Sequence, residues 1–270
     1  MKKILFLGAG KMGGAIVQGL MASDTDNTAY FIVDPGMLSG GQSAYSGCTI
    51  YADLAECAQH NHRFDVVFLS VKPQIFTAVP FDFDGIVSRE TLVISVMAGV
   101  SCNTLAAAIP QSTQIVRCMP NVGALKGLSA SVNYSSPSLS DQSKQDANYL
   151  LSQVGSCGWV DDEYQMHAVT GVSGSGPAYC FAFVEAMAAA GADLGLDRAL
   201  AEQLAIDTMI GAAELMKSER DPAMLRQMVT SPNGTTQAAL QALAKGGALD
   251  GLVHTAVSAA AMRSVELSQS

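Results

Sequence analysis

Along the first 160 or so residues, short apolar runs alternate with stretches in which apolar side chains return every three or four positions. That rhythm predicts βαβ units around a parallel sheet. Lys3 to Leu7, Ala29 to Val33, Asp65 to Val71, Thr91 to Val96 and Gln114 to Cys118 read as strands. Several are apolar at consecutive positions, as expected of strands covered on both faces. Met12, Ile16 and Leu20, spaced by four, mark a helix behind the first strand. The polar stretch Ser135 to Ser143 reads as a surface loop leading into a helix that starts near Ser140 and ends near Gly155. From about Gly176 the texture changes to long Ala-, Leu- and Met-rich segments without a convincing strand. Pro177 suits a first helical turn, Asp197 and Asp221 read as helix starts, and Gly246-Gly247 reads as a stop. The pattern therefore predicts a doubly wound α/β domain over residues 1–162 and an all-α domain over residues 163–270.

Between Ala178 and Ala190 nearly every face of the predicted helix is apolar, with Glu185 the only charge. A helix apolar all round must be buried, and a single helical layer of this size has little interior to offer. The second domain is therefore expected to be a dimerisation domain, with a second copy of the chain supplying the missing core.

Composition narrows the partners. Fifteen Lys and Arg against 24 Asp and Glu leave a net charge of −9. The scattered basic residues form no patch able to neutralise many phosphates, so no nucleic acid is expected. The 270 residues, 49% of them hydrophobic, supply ample core. No apolar run approaches the ~20 residues of a spanning helix, so no membrane partner is expected either. The N-terminus passes from Lys2-Lys3 through four apolar residues into glycines, without a signal-length apolar core. Cysteines 48, 57, 102, 118, 157 and 180 form no Cys-x-x-Cys pair and stand in apolar or small-residue settings. They are expected to be reduced core residues of a cytoplasmic protein, with no disulfide framework and no metal.

Gly8-Ala9-Gly10-Lys11-Met12-Gly13 follows a predicted strand and opens a predicted helix. That context makes Gly-x-Gly-x-x-Gly the fingerprint of a Rossmann-like dinucleotide-binding domain. The first glycine permits the tight turn, the second lets pyrophosphate approach the backbone, and the third lets helix and strand pack closely. Asp34, ending the second strand, can accept from ribose hydroxyls and repel a 2′-phosphate, which favours NADH over NADPH. A turn-forming Asp before Pro35-Gly36 is the competing reading. Val71-Lys72-Pro73-Gln74 and Met97-Ala98-Gly99 lie beyond two strand ends, where ligands of open α/β sheets bind. For Lys72 a solvated loop lysine stands as the alternative.

In the second domain, Ser231-Pro232-Asn233-Gly234-Thr235-Thr236 precedes the periodic run Ala238, Ala239, Leu240, Leu243. Gly234, and to a lesser degree Asn233, can enter left-handed backbone space, and Thr235 or Thr236 can cap the helix that follows. Such a turn aims amides and hydroxyls at one spot, suited to a carboxylate. Judged alone, the segment reads equally as a plain helix cap.

Taken together these segments resemble the pyrroline-5-carboxylate reductase family. The likeness runs over Gly8 to Gly13, Val71-Lys72-Pro73, Ala98-Gly99-Val100, Arg117-Cys118-Met119-Pro120-Asn121, Val172 to Tyr179 and Val229 to Thr236. The last two stretches are specific to that family among Rossmann reductases. The resemblance implies reduction of the cyclic imine L-1-pyrroline-5-carboxylate to L-proline, a step of proline biosynthesis, by NADPH or NADH. It implies a helical domain that interleaves with that of a second subunit, with dimers often assembling into a ring of five. By matching position, Met119, Pro120 and Asn121 join the cofactor residues. Val229, Ser231, Gly234, Thr235 and Thr236 hold the substrate, with Glu219 near its amine. A protonated imine is already electrophilic, so its reduction needs positioning and a nearby acceptor more than a strong acid. Thr236, whose hydroxyl can accept or donate, is the expected catalytic contact with the ring nitrogen.

The chain departs from the family at Val122-Gly123, where Thr-Pro is usual, and at Asn233, where glycine is common. A reductase of a neighbouring cyclic imino acid is therefore a second reading, and a non-catalytic dinucleotide-binding dimer a third. The β-hydroxyacid dehydrogenases also join a Rossmann domain to helices, but Cys180 stands where they place a catalytic lysine. None of His60, His62, His167 and His254 falls in a motif, and each is expected to serve surface or packing.

Overall fold

The computed structural model describes residues 1–23, 28–39 and 45–269. These fall into two compact units, Met1–Ser175 joined by the chain from Ala259 onward, and Gly176–Ser258. By compactness the chain divides at 175/176, because the segment after the sheet packs back onto it and the chain end returns to the first unit.

The first unit is built on eight strands: β1 (Lys3–Leu7), β2 (Ala29–Val33), β3 (Cys48–Tyr51), β4 (Val66–Leu69), β5 (Leu92–Ser95), β6 (Gln114–Met119), β7 (Ser129–Ser135) and β8 (Gly155–Trp159). Their order is β3-β2-β1-β4-β5-β6-β7-β8. Neighbours are parallel except β6 and β7, which run antiparallel. Around the sheet lie α1 (Lys11–Ser23), α2 (Leu54–Gln59), α3 (Pro73–Ala78), α4 (Cys102–Ala108), α5 (Asp141–Ser152) and α6 (Gln165–Val169). A π-helical turn, Thr170–Gly174, follows α6.

Alternation along each strand distributes its side chains between two cores. Ile4, Phe6, Ile32, Phe68 and Ile94 pack with Ile16, Val17 and Leu20 of α1 and Leu150 and Leu151 of α5. Leu5, Leu7, Val33, Leu69 and Val93 pack with Leu54 of α2, Phe76 of α3 and Leu105 of α4. With both faces covered, β4 is apolar at every position and β4 and β5 are buried throughout. Phe6 and Phe68 stack on adjacent strands, ring centroids 4.6 Å apart.

Three strands carry no such signal. β3 has the half-exposed sequence of an edge, and β8 contains two glycines and a serine among its five residues. β7 buries polar side chains, Ser129, Ser131 and Asn133, which bond to Asn121, to Ser129 and to Cys157 respectively.

The second unit is helical: α7 (Gly176–Asp193), α8 (Arg198–Ser218), α9 (Pro222–Met228), α10 (Thr235–Ala244) and the start of α11 (Ala248–Gln269). Asp197 and Asp221 cap α8 and α9, each accepting from two first-turn amides. Gly246 and Gly247 take positive φ at the break before α11. Although α7 and α8 pack on each other, only Ala188 of α7 and Ala201 and Ala205 of α8 are buried. Phe181, Ile210 and Leu252 are 62%, 57% and 70% exposed. One expectation fails here: Cys180 is exposed, because the apolar face of α7 has no cover within one chain. The other five cysteines are buried or half-buried and all six are free.

Candidate active site

Parallel order sets the loops that follow β1 through β6 at one edge of the sheet, and the direction of chain connection reverses between β1 and β4. A crevice at such a switch point is where an open α/β sheet takes a ligand. Gly8, at φ +90°, makes the turn out of β1; a Cβ there would stand 2.9 Å from the Val71 nitrogen, so only glycine fits. At Gly13 a Cβ would meet the Gly8 oxygen at 2.5 Å, while above Gly10 there is open space. Ser70, absent from the sequence reading, stitches the two turns together by donating to the Gly8 carbonyl at 2.6 Å. Tyr45, also unforeseen, donates to the Ala9 carbonyl at 3.4 Å, and burial raises its pKa so that the hydroxyl keeps its proton. Neither residue belongs to a spacing motif; both are placed by tertiary contact alone.

Asp34 makes the turn-forming contact and a second one to the glycine turn. Oδ1 accepts from Gly36 N at 2.9 Å, the turn-forming contact, and Oδ2 accepts from Ala9 N at 2.8 Å. Each carboxylate oxygen keeps a further lone pair for a ligand. A cleft of about 610 Å³ opens beside it, lined among others by Gly8, Gly10, Asp34, Asp53, Val71 and Lys72. Lys72 is exposed and precedes α3, whose first residue is Pro73.

These residues fit a dinucleotide. The amides of Lys11, Met12 and Gly13 belong to the turn of α1 that has no partner inside the helix. They open next to the one glycine of the motif whose Cβ position is free, where a pyrophosphate would be accommodated.

Ala98, Gly99, Met119, Pro120 and Asn121 do not line this cleft; Ala98 and Gly99 follow β5, and Met119 ends β6 with Pro120 and Asn121 after it, farther along the same edge. Gly99 is buried at φ +77°, with the Leu267 backbone 3.2 Å from where a Cβ would be. Asn121 is buried and its side chain is engaged on both sides. Oδ1 accepts from Gly123 N and Nδ2 donates to Ser173 O, both at 3.0 Å, tying the turn after β6 to the π-helical turn. The departure at position 123 has a local consequence: a proline would have no N–H for Asn121.

In the second unit, Asn233 rather than Gly234 takes the left-handed conformation, at φ 59°. Gly234 is extended and is itself the N-cap of α10, so neither Thr235 nor Thr236 caps the helix. Glycine is needed there for closeness, since a Cβ would stand 3.1 Å from both Ser231 oxygens. Gln237 reaches back to accept from Asn233 N at 2.6 Å. The helix thus begins with no side-chain cap on its first amides, and Thr236 is half-buried at that opening. Ser231, Thr235, Val229 and Glu219 are exposed, the last as the C-cap of α8.

No group of three or more His, Cys, Asp or Glu able to hold a metal occurs among the described residues. Burial pushes the thiols of Cys57 and Cys102 up to about 11 and about 12, and Cys118 well above its ordinary value, so none offers a thiolate nucleophile.

Two family models match the chain. Residues 163–267 match pyrroline-5-carboxylate reductase dimerisation, and residues 3–99 match NADP oxidoreductase coenzyme F420-dependent. A pyrroline-5-carboxylate reductase of Pseudomonas aeruginosa is 42% identical over 269 residues, covering 99% of this chain and 97% of that protein. A solved pyrroline-5-carboxylate reductase from Coxiella burnetii superposes with a TM-score of 0.88 at 32% identity, covering 99% of this chain and 98% of the other. A Plasmodium falciparum pyrroline carboxylate reductase, solved with NADP bound, superposes with a TM-score of 0.76 at 26% identity, covering 99% and 98%.

Proposed function

The chain belongs to the pyrroline-5-carboxylate reductase family, and from that premise we propose which of its residues carry the reaction and which nicotinamide it prefers. The reaction is reduction of L-1-pyrroline-5-carboxylate to L-proline by NAD(P)H. The observation that carries our assignment of the substrate site is the opening of α10, where Gly234 caps without a side chain and Thr236 stands half-buried beside unclaimed first-turn amides.

In this reading the amides of the turn, with the Ser231 and Thr235 hydroxyls, hold the substrate carboxylate, helped by the positive end of the α10 dipole. Val229 gives an apolar wall, and the Glu219 carboxylate favours the protonated imine by its charge. The Thr236 hydroxyl accepts from the iminium N–H, which fixes the ring and keeps the proton on nitrogen while C=N becomes C–N. When bound, the dihydronicotinamide supplies the hydride. The first turn of α1 grips its pyrophosphate; Val71, Lys72, Pro73, Ala98, Gly99, Met119, Pro120 and Asn121 shape the rest of that site.

A preference for NADH is supported by Asp34 and Asp53 on the cleft, where Lys72 is the one basic residue of the lining among the described residues. A 2′-phosphate there meets carboxylates instead of an arginine. The exposed apolar residues of α7, α8 and α11 support a homodimer, and the ring of five dimers implied by the resemblance extends that proposal. No helix among the described residues is long and apolar enough to cross a membrane. The six free cysteines support a reducing, cytoplasmic location.

The test is steady-state oxidation of NADH and of NADPH with pyrroline-5-carboxylate, run beside the six-membered piperideine analogue. The expected outcome is five-ring turnover with the higher kcat/KM for NADH. A higher value for NADPH overturns the role given to Asp34. Preference for the six-membered ring would point to the Val122-Gly123 departure as the mark of a changed substrate.

A further inference from the structure

Arg117, a charged residue on β6, is only 4% exposed, between Val116 and Cys118, which are buried too. Its Nη1 donates to Glu163 Oε1 at 2.6 Å, and the same oxygen accepts from the backbone amide of Cys102 at 2.7 Å. Cys102 is the first residue of α4, so its amide has no partner inside the helix and needs one outside. The neighbouring cap, Ser101, accepts from Thr104 N at 3.0 Å and serves a different amide. With Arg117 buried and Glu163 half-buried, this ion pair costs desolvation that an apolar pair would not. What it adds is an acceptor fixed in place by a charge, at the spot where α4 begins.

That spot is the exit of the loop after β5. At its entrance Ser95 Oγ accepts from Met97 N at 3.3 Å, and Ser95 pairs with Arg117 across the parallel strands. Between entrance and exit lie Ala98 and Gly99, the latter backed by Leu267 of α11. α11 is in turn tied to α6, just after Glu163, by Ser264 Oγ and His167 Nδ1 at 2.9 Å. The buried Cys102 thiol is neutral, held up by burial and Glu163 against the opposing influence of Arg117; it takes no charge in this arrangement.

We propose that Glu163, oriented by Arg117, is a positioning residue for the nicotinamide cofactor. It clamps the first amide of α4 and thereby sets the face that Ala98 and Gly99 present at the carboxyl edge of β5. The inference rests on the reading of Ala98 and Gly99 as cofactor residues. In Glu163→Ala the loop exit loses its acceptor, while the substrate turn of α10 is untouched.

The experiment measures KM for NADH, kcat, and melting temperature in four variants of the full chain. Glu163→Ala is expected to raise KM for NADH about tenfold, the scale of one charge-assisted hydrogen bond, with kcat within about twofold of the parent. Glu163→Gln keeps an acceptor for Cys102 and is expected to restore KM to within about threefold. If Glu163→Ala does not fold, the paired Arg117→Met with Glu163→Met removes both charges at similar volume and is expected to show the same rise in KM. Gly99→Ala tests the underlying reading, since a Cβ there meets Leu267 at positive φ. A lowered melting temperature with unchanged KM in Glu163→Ala or in the double variant, while Gly99→Ala raises KM, would overturn the role of Glu163 and leave the loop in the cofactor site. Unchanged KM in all of them would overturn both.

Discussion

Single atoms decide much at the residue scale. Thr236 offers one hydroxyl at a helix start that has no side-chain cap, and a hydrogen bond to a charged group is worth about 1.5–3 kcal/mol. Thr236→Ala is therefore expected to lower kcat by about ten- to a hundredfold, with an unchanged melting curve because the helix keeps its Gly234 cap. Equal kcat in the variant and the parent would remove Thr236 from the mechanism. His167 yields a second expectation. Burial and then Arg117 hold its pKa below the ordinary 6.5, with Glu163 opposing. The folded state thus prefers the neutral ring, and below about pH 6.5 the unfolded state binds more protons. Stability from this group is present above that pH and is lost as pH falls through it. Melting temperature should drop between about pH 7 and pH 5, and His167→Asn should flatten that slope; an identical slope in the variant would refute the linkage.

At the scale of the element, capping carries the argument. Asp197 accepts from Ala199 N and Leu200 N at 3.0 and 3.3 Å, and Asp197→Ala is expected to cost about 1 kcal/mol, read as a shift of the denaturant midpoint. This cap was legible from an Asp ahead of an Ala- and Leu-rich run, and so was Asp221 with Pro222 behind it. The opening of α10 was legible only as a turn. Sequence favours Gly234 for positive φ and a threonine for the cap, yet Asn233 takes the left-handed position. Gly234 is reserved by its closeness to the Ser231 oxygens. β7 and β8 escaped for another reason. Period-2 patterning is visible only where the buried face is apolar, and β7 buries serines and an asparagine whose partners lie in the turn after β6, in β7 itself and in β8.

For the whole molecule, the second unit leaves large apolar side chains such as Phe181, Ile210 and Leu252 exposed in one chain, the mark of an interaction surface. Light scattering should give a mass near twice 28.0 kDa, or near ten times that value if dimers form a ring of five. Ile210→Asp, placed on α8 where the side chain is 57% exposed in one chain, should shift the population toward monomer and lower the melting temperature. A monodisperse monomer of the parent protein would remove the homodimer from the proposal.

Local chemistry was enough for the amino-acid sequence to determine the five apolar strands and the helix behind the first, the Gly8 to Gly13 turn, the acid at the end of β2, the Asp197 and Asp221 caps and the unpartnered apolar helices. Each depends on residues close together along the chain or on a periodicity within one element. Tertiary structure alone decided that Ser70 binds the Gly8 carbonyl, that Asn121 bridges Gly123 and Ser173, and that Arg117 and Glu163 meet at the first amide of α4. Ser70 is 62 residues from Gly8, Asn121 is 52 from Ser173, and Arg117 is 46 from Glu163. No spacing rule reaches that far, and only the packed sheet brings such buried polar groups to the partners that satisfy them.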